Sequence, residues 1–436
     1  MKFGGTSVGR PERMHQVADL ITADAEPKIV VLSALSGTTN ALVEISNALA
    51  ANNRAEAKQL IDNLEAHYRN FILHLVKGEA ALQKAGSIVS EHFEFLNIIL
   101  KISFSEALNK DILAQGELLS TKLFCVYLEE RGTPHAFLPA LEFMTIDSYD
   151  EPQIGSIRVK LNQWLGKHPG HNLFITQGYI SKNSRGEVDN LKRGGSDYSA
   201  SLIAAAIHAT VCEIWTDIDG MHNNDPRICE KTLPIEQLSF EEAAELAYFG
   251  AKILHPASIW PAQHYKIPVK LLNTMEPQAK GTLIVEEAGS KGVKAVAAKD
   301  GIISINIRSS RMLLAYGFLR KIFEVFEKYR TSIDMITTSE VAVSVTIDSD
   351  AHLKEIVKEL EPFGTITVES GLAIISVVGN EIAETKDVLT KLFDSLTNTP
   401  VRMVSYGGSR HNVSLLLPSP HKKHALQALN SGLFGL

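Results

Sequence analysis

KRGGSDYSASLIAAAIHATVCEIWT, residues Lys192 to Thr216, is the stretch on which the fold turns. A glycine-rich turn from Lys192 to Asp197 leads into a helical segment from Tyr198 to Ala209, where Ser196 or Asp197 would cap the helix, and then into an apolar run from Val211 to Thr216. Turn, helix and buried strand in that order make one α/β unit. Runs of the same kind recur at Lys28 to Ser33, Asn172 to Thr176 and Pro268 to Leu272, separated by segments of helical period. Strands apolar on both faces belong in a mainly parallel sheet covered by helices. Between Asn40 and Arg131 nearly everything reads helical, punctuated by Gly78, Gly86 and Gly116, so a helical subdomain is attached to the sheet.

After Pro277 the texture changes. Gly281, Gly289 and Gly292 lie in a polar connector, and a boundary near residue 290 is expected. Beyond it the order is strand Ile302 to Ile307, helix Gly317 to Tyr329, strands Ser332 to Thr337 and Val341 to Ile347, helix His352 to Leu360 and strand Thr365 to Glu369. That is a ferredoxin-like βαββαβ unit. The series restarts with strand Leu372 to Val378, helix Glu384 to Leu396, strands Val401 to Val404 and Val413 to Leu417, and helix His421 to Leu433. Val343-Ser344-Val345 aligns with Val413-Ser414-Leu415, an internal repeat whose second copy lacks its last strand. The spare segment Val293 to Ala298 would complete it, so the two copies should interlock. The expected organisation is therefore residues 1–290, 299–370 and 371–436, the last completed by 293–298.

Composition narrows the function. With 436 residues the chain has room for two to three cores. Acidic residues number 50 against 43 basic ones, a formal charge of −7, which argues against a nucleic-acid or anionic-membrane surface. Cys125, Cys212 and Cys229 are widely spaced and suggest neither a disulfide framework nor a zinc site, and no metal-ligating set is expected. The apolar stretch from Phe95 to Phe104 is short and carries Lys101, whereas a membrane span needs about 20 apolar residues. Met-Lys-Phe-Gly-Gly at the start is not the pattern of a secretory leader. A cytoplasmic protein acting on small molecules is expected.

Two further segments carry chemistry. Lys2-Phe3-Gly4-Gly5-Thr6-Ser7 sets a cation and two glycines ahead of a helical segment opened by Pro11, which suits a phosphate, although such a string also makes an ordinary turn and cap. Trp215-Thr216-Asp217-Ile218-Asp219-Gly220 ends a strand, the place where open α/β sheets bind ligands. In this reading Arg193 forks onto a carboxylate and Asp197 meets Lys2 at a reacting phosphate.

Six ordered strings, KFGGTSV from Lys2, VVLSALSGTTN from Val30, GELLST from Gly116, KRGGSDYSA from Lys192, WTDIDG from Trp215 and FGAKILHPAS from Phe249, resemble the aspartokinase branch of the amino acid kinase family. The C-terminal repeat resembles that family's paired ACT domains. The resemblance implies phosphorylation of the L-aspartate β-carboxylate by ATP to 4-phospho-L-aspartate, the first step toward lysine, threonine and methionine, with Mg2+ held mainly by the nucleotide phosphates. At matching positions it implies Lys2 and Asp197 as catalytic residues and Ser33, Thr39, Glu117, Arg193, Gly194, Gly195 and Ser196 as aspartate contacts. It implies Lys2, Gly4, Gly5, Thr216, Asp217, His222, Arg227 and Lys252 as nucleotide contacts. His222 stands where relatives commonly have tyrosine, and relatives carry several apolar residues ahead of the lysine where this chain has only Met1, so a short first strand is expected.

Regulation is implied in the same way. Met312, Gly317, Phe318, Leu319, Ser332, Ile333, Asp334, Thr338 and Ser339 match effector positions of lysine-sensitive relatives, with Asp334 suited to an ammonium, while Leu314 and Ala315 replace a histidine and a serine. L-Lysine, or else L-threonine, would bind between ACT domains of a homodimer or higher homo-oligomer. Alternatives that the residues leave open are another amino acid kinase, acting on glutamate or a nucleoside monophosphate, and a non-catalytic amino-acid sensor. No homoserine dehydrogenase segment is expected in a chain of this length.

Overall fold

The computed structural model describes residues 1–191, 194–250, 254–289, 291–309 and 316–436. Two compact units form, one from Met1–Gly220 with Leu254–Glu286 and the other from Met221–Ile253 with Glu287–Leu436. Each unit is discontinuous in sequence, a crossing that a single boundary near residue 290 does not describe.

In the first unit the strands Ala136–Leu138, Leu173–Gln177, Lys28–Leu32, Lys2–Phe3, Cys212–Thr216 and Val269–Asn273 lie side by side in that order, all parallel. Thr282–Val285 runs antiparallel beside the last. The first strand has only Lys2 and Phe3, yet it pairs on both sides, with Val31 and Leu32 and with Ile214 and Trp215. Phe3 is fully buried and stacks on Trp215 with ring centroids 5.7 Å apart. The Met1 ammonium donates to the Ile29 carbonyl at 2.9 Å, and its burial pushes its pKa down.

The helical subdomain comprises Thr38–Ala50, Arg54–Leu75, Glu79–Ile99 and Glu106–Glu130. Asn53 and Ser105 cap two of these, accepting from the amides of Glu56 and Leu108. Ala57, Ile61, Leu64, Tyr68, Phe71, Ile72 and Leu75 recur every three or four residues and form the buried stripe of one helix. Gly86 and Gly116, read as punctuation, lie inside helices instead. At Gly116 the cause is a close approach, because a β-carbon there would stand 2.8 Å from the Ala34 β-carbon.

The second unit is built on a six-stranded antiparallel sheet in the order Ile336–Thr338, Ala342–Ile347, Gly292–Arg308, Thr365–Asn380, Asn412–Pro418, Met403–Ser405. The alternating Ile303, Ile305 and Ile307 pack with Ile322, Phe326 and Ile356, and the corresponding residues of the second copy, among them Ile375, Leu392 and Leu426, form their own core. Strands that read as separate, 293–298 with 302–307 and 365–369 with 372–378, are continuous. Each pair is joined through a glycine of positive φ, Gly301 at 76° and Gly371 at 74°, which lets the chain change register without leaving the sheet. The 293–298 segment thereby pairs with the second copy, Val293 opposite Gly379 and Ala298 opposite Ile375.

The segment Met221–Ile253 is tied into this unit. The side-chain amides of Asn223 and Asn224 donate to Asn430 Oδ1 at 3.2 and 3.3 Å, and the Asn223 carbonyl accepts from the Val296 amide at 2.8 Å. Its helix Phe240–Tyr248 starts with a reciprocal cap between Ser239 and Glu242, and Lys294 pairs with Glu242 at 2.9 Å.

Candidate active site

In the first unit the loops that leave the carboxyl ends of the parallel strands converge, as open α/β sheets require of a ligand site. The Ser33 amide donates to the Phe3 carbonyl at 3.2 Å and the Gly178 amide to the Leu32 carbonyl at 2.9 Å. Ser196 packs directly on Gly178, and the Tyr179 amide donates to Ser199 Oγ at 2.7 Å. Four chain segments distant in sequence are thereby locked around one point.

Lys2 and Asp197 meet there at 2.7 Å, with side chains only 11% and 17% exposed. The helix after the glycine turn runs Gly195–Ile207, and its cap residue is Gly194 with φ of 63° and no side-chain cap bond. The capping role expected for Ser196 or Asp197 is therefore not taken up, and Asp197 is left to hold the lysine. The Gly4 amide donates to the Trp215 carbonyl at 3.4 Å, which closes its loop onto the neighbouring strand.

Glu117 lies in the middle of the 25-residue helix Glu106–Glu130, not at a helix start, and is 4% exposed. Its Oε1 accepts from the Ala34 amide at 3.3 Å and its Oε2 has no partner among the described residues. Burial pushes its pKa from 4.5 up to about 8, a rise that hydrogen bonds from the backbone only partly oppose. Such a carboxyl suits an incoming cation. Ser33 is half-buried, with its carbonyl held by Ser120 Oγ at 2.7 Å. Thr39 is exposed on the first turn of its helix, while neighbouring Thr38 is buried against the Tyr68 hydroxyl at 3.0 Å. At the end of Cys212–Thr216, Thr216 Oγ1 donates to Asp217 at 3.1 Å.

Arg193, Lys252 and Met312 lie outside the described residues. In the second unit His222 Nδ1 lies 2.7 Å from Thr232 Oγ1, and Arg227 grips Asp225 through Nε and Nη2 at 2.9 and 2.7 Å while staying largely exposed. Among the effector positions, Gly317 precedes the helix that Phe318 and Leu319 open, Ser332 and Ile333 lie ahead of the edge strand Ile336–Thr338, and Ser339 follows its last residue, Thr338. Asp334 is already engaged. It accepts from Lys299 Nζ and from the Tyr248 hydroxyl, each at 2.7 Å, and Lys299 also reaches Asp348 at 2.9 Å. Lys299 lies 4.5 Å from the Tyr248 ring centroid, and burial beside Asp334 pushes the phenol's pKa up.

The motifs did not single out Tyr179 and Asn190. Tyr179 has φ of 65°, costly for a bulky residue, and its ring lies 3.7 Å from where a β-carbon on Gly195 would stand. Its pKa is raised by burial and by the negative charge of Glu117. Only that backbone strain marks it, and strain is not legible in sequence.

The description "amino acid kinase family" matches residues 1–273, and "ACT domain" matches 375–433. Over 99% of its length the chain is 34% identical to lysine-sensitive aspartokinase 3 of Escherichia coli, covering 98% of that protein. It is 35% identical to aspartokinase 3, chloroplastic, of Arabidopsis thaliana, covering 81%. The crystal structure of E. coli aspartokinase III with aspartate and ADP superposes with a TM-score of 0.84 at 32% identity, and the lysine and aspartate complex with 0.83 at 33%, both over 99% of this chain and at least 98% of theirs. With these likenesses spanning both the sheet that carries Lys2 and the interlocked repeats, the chain belongs to the aspartokinases of the amino acid kinase family.

Proposed function

We infer that the chain phosphorylates the β-carboxylate of L-aspartate with ATP, and that it is regulated through its ACT repeats. The observation that carries the reaction is the Lys2–Asp197 pair, which joins the first strand to the opening turn of the helix Gly195–Ile207. A carboxylate is already an anionic nucleophile and needs no general base, so catalysis reduces to positioning and to neutralising charge on the phosphoryl group in flight. Lys2 supplies that positive charge and Asp197 fixes its ammonium. Glu117 takes the α-ammonium of aspartate, Arg193 takes the α-carboxylate, and Ser33, Thr39, Gly194, Gly195 and Ser196 line the remainder. Thr216, Asp217, His222, Arg227 and Lys252, with Gly4 and Gly5, serve the nucleotide. Mg2+ would be held mainly by the nucleotide phosphates and would supply further positive charge to the transferring group.

The test is aspartate-dependent ADP release with the acyl phosphate trapped as its hydroxamate. Lys2→Met should lower kcat by about 10²- to 10³-fold with little change in the KM for aspartate. Turnover with glutamate but not aspartate would overturn the substrate assignment.

For regulation the supporting likeness is to the E. coli enzyme crystallised with lysine. L-Lysine, or L-threonine in its place, inhibits through the segments around Phe318 and Asp334 of the first ACT repeat, in a cytoplasmic homodimer or higher homo-oligomer. Titrating turnover with each amino acid, alongside light scattering, tests this reading. Activity indifferent to both in the millimolar range would leave the repeats a purely structural role.

A further inference from the structure

Ser7 and Thr274 stand 267 residues apart in sequence, yet their hydroxyls lie 2.8 Å from each other. Ser7 is fully buried and Thr274 is 2% exposed, so each hydroxyl is paired with the other in place of water. Ser7 belongs to the short helix Gly5–Val8, in which the amides of Ser7 and Val8 donate to the Gly4 carbonyl at 2.9 and 3.2 Å, so it moves with the Gly4–Gly5 loop. Thr274 follows the strand Val269–Asn273, and its amide donates to the Thr216 carbonyl at 2.8 Å. Between the first strand and Val269–Asn273 lies Cys212–Thr216, paired to both. A bond from the loop after one outer strand to the residue after the other therefore reaches across the end of the middle one, where Thr216 and Asp217 stand. The first strand needs such support. It holds only Lys2 and Phe3, and the Gly4 amide reaches the Trp215 carbonyl at 3.4 Å, close to the limit for a hydrogen bond.

We propose that the Ser7–Thr274 hydroxyl pair positions the groups that carry out phosphoryl transfer, by fastening the Gly4–Gly5 loop, and with it Lys2, to the strand end that bears Thr216 and Asp217. Both are positioning residues, since burial keeps their hydroxyls from the substrate. With an anionic nucleophile the reaction depends on placement and charge neutralisation, and a displacement of about 1 Å in a charge-bearing group can cost about 10²-fold in rate. Glu117 and Ser33 sit on other elements, the helix Glu106–Glu130 and the residue after Lys28–Leu32. Loss of the pair is therefore felt in kcat and in the KM for ATP, and not in the KM for aspartate. The proposal rests on the assignment of Gly4 and Gly5 to the nucleotide.

Thr274→Val keeps the shape and removes the hydroxyl, which leaves Ser7 Oγ buried and unpaired, so the melting temperature should fall. In this variant kcat should fall about ten- to a hundred-fold and the KM for ATP rise about three- to tenfold, with the KM for aspartate within about twofold. Thr274→Ser, which keeps the hydroxyl, should hold kcat within about twofold of the wild type. Adding Ser7→Ala to Thr274→Val separates positioning from stability. With the second hydroxyl gone no unpaired group remains, so the melting temperature should recover in part while kcat stays low. Recovery of kcat together with the melting temperature, or a Thr274→Val enzyme with wild-type kcat and KM for ATP, would overturn the proposal. Gly4→Ala probes the loop itself, because a β-carbon there would stand 3.3 Å from Lys2 Nζ. If Gly4→Ala impairs ATP use and Thr274→Val does not, only the present proposal fails; if Gly4→Ala leaves kcat and the KM for ATP unchanged, the assignment of the loop to the nucleotide fails and the proposal with it.

Discussion

Changing the pH alone tests the role of Glu117. Burial raises its carboxyl from 4.5 to about 8, so at neutral pH the folded, substrate-free enzyme holds a proton there that the unfolded chain has released. A folded-state pKa raised above the unfolded value means that the free enzyme is favoured at low pH and loses stability as pH climbs from 4.5 to about 8. At about 1.4 kcal/mol per pH unit the loss from this one group amounts to roughly 5 kcal/mol. An α-ammonium arriving at Oε2 reverses the preference, because the charged carboxylate now has a partner, and aspartate binding must expel the proton. At pH 7 a group with a pKa of about 8 is roughly nine-tenths protonated, so close to one proton should leave per aspartate bound. The aspartate dissociation constant should fall about tenfold per unit from pH 6 to nearly 8 and then level off. Calorimetry in two buffers of different ionisation enthalpy counts the protons, and Glu117→Gln should abolish both the release and the slope. A pH-independent dissociation constant between pH 6 and 8, with no proton released, would refute the reasoning.

Other perturbations probe the supports of the site. Gly116→Val would drive a branched side chain against Ala34, where a β-carbon already stands at 2.8 Å, so it should cost about 1 to 3 kcal/mol of stability and raise the KM for aspartate by displacing Glu117. A denaturant melt and a KM both at wild-type values would show that the helix shifts freely. In the second unit, Lys299→Met removes the cation paired with Asp334 and leaves only the Tyr248 hydroxyl on it, so a lysine effector should inhibit at about tenfold lower concentration while uninhibited turnover stays unchanged. An unaltered inhibition curve would remove Asp334 from the effector site.

Much of the parallel sheet was legible because its strands are apolar on both faces: Lys28–Leu32, Leu173–Gln177, Cys212–Thr216 and Val269–Asn273 each fall within one or two residues of a run readable by eye. The short strand Lys2–Phe3 was legible only through the family resemblance, since two residues carry no periodicity and are strand only through neighbours on both sides. The hairpin Ile180–Lys182 with Val188–Asn190 hides in a polar stretch for the same reason. Of the site, the charged partners Lys2 and Asp197 announce themselves by motif, but the burial that makes Glu117 unusual depends on Gly116 letting a helix approach Ala34.

The two strands that pass through Gly301 and Gly371 leave the regulatory half with no seam. A chain cut at Gly371 would leave the second copy incomplete, because the strand that completes it lies at 293–298, on the far side of the whole first copy. A proteolytic nick near Gly371 therefore separates the second copy from a strand it needs, and the two copies behave as one indivisible part. Recombination with another protein can exchange the pair, but it has no crossover point at which to exchange one member.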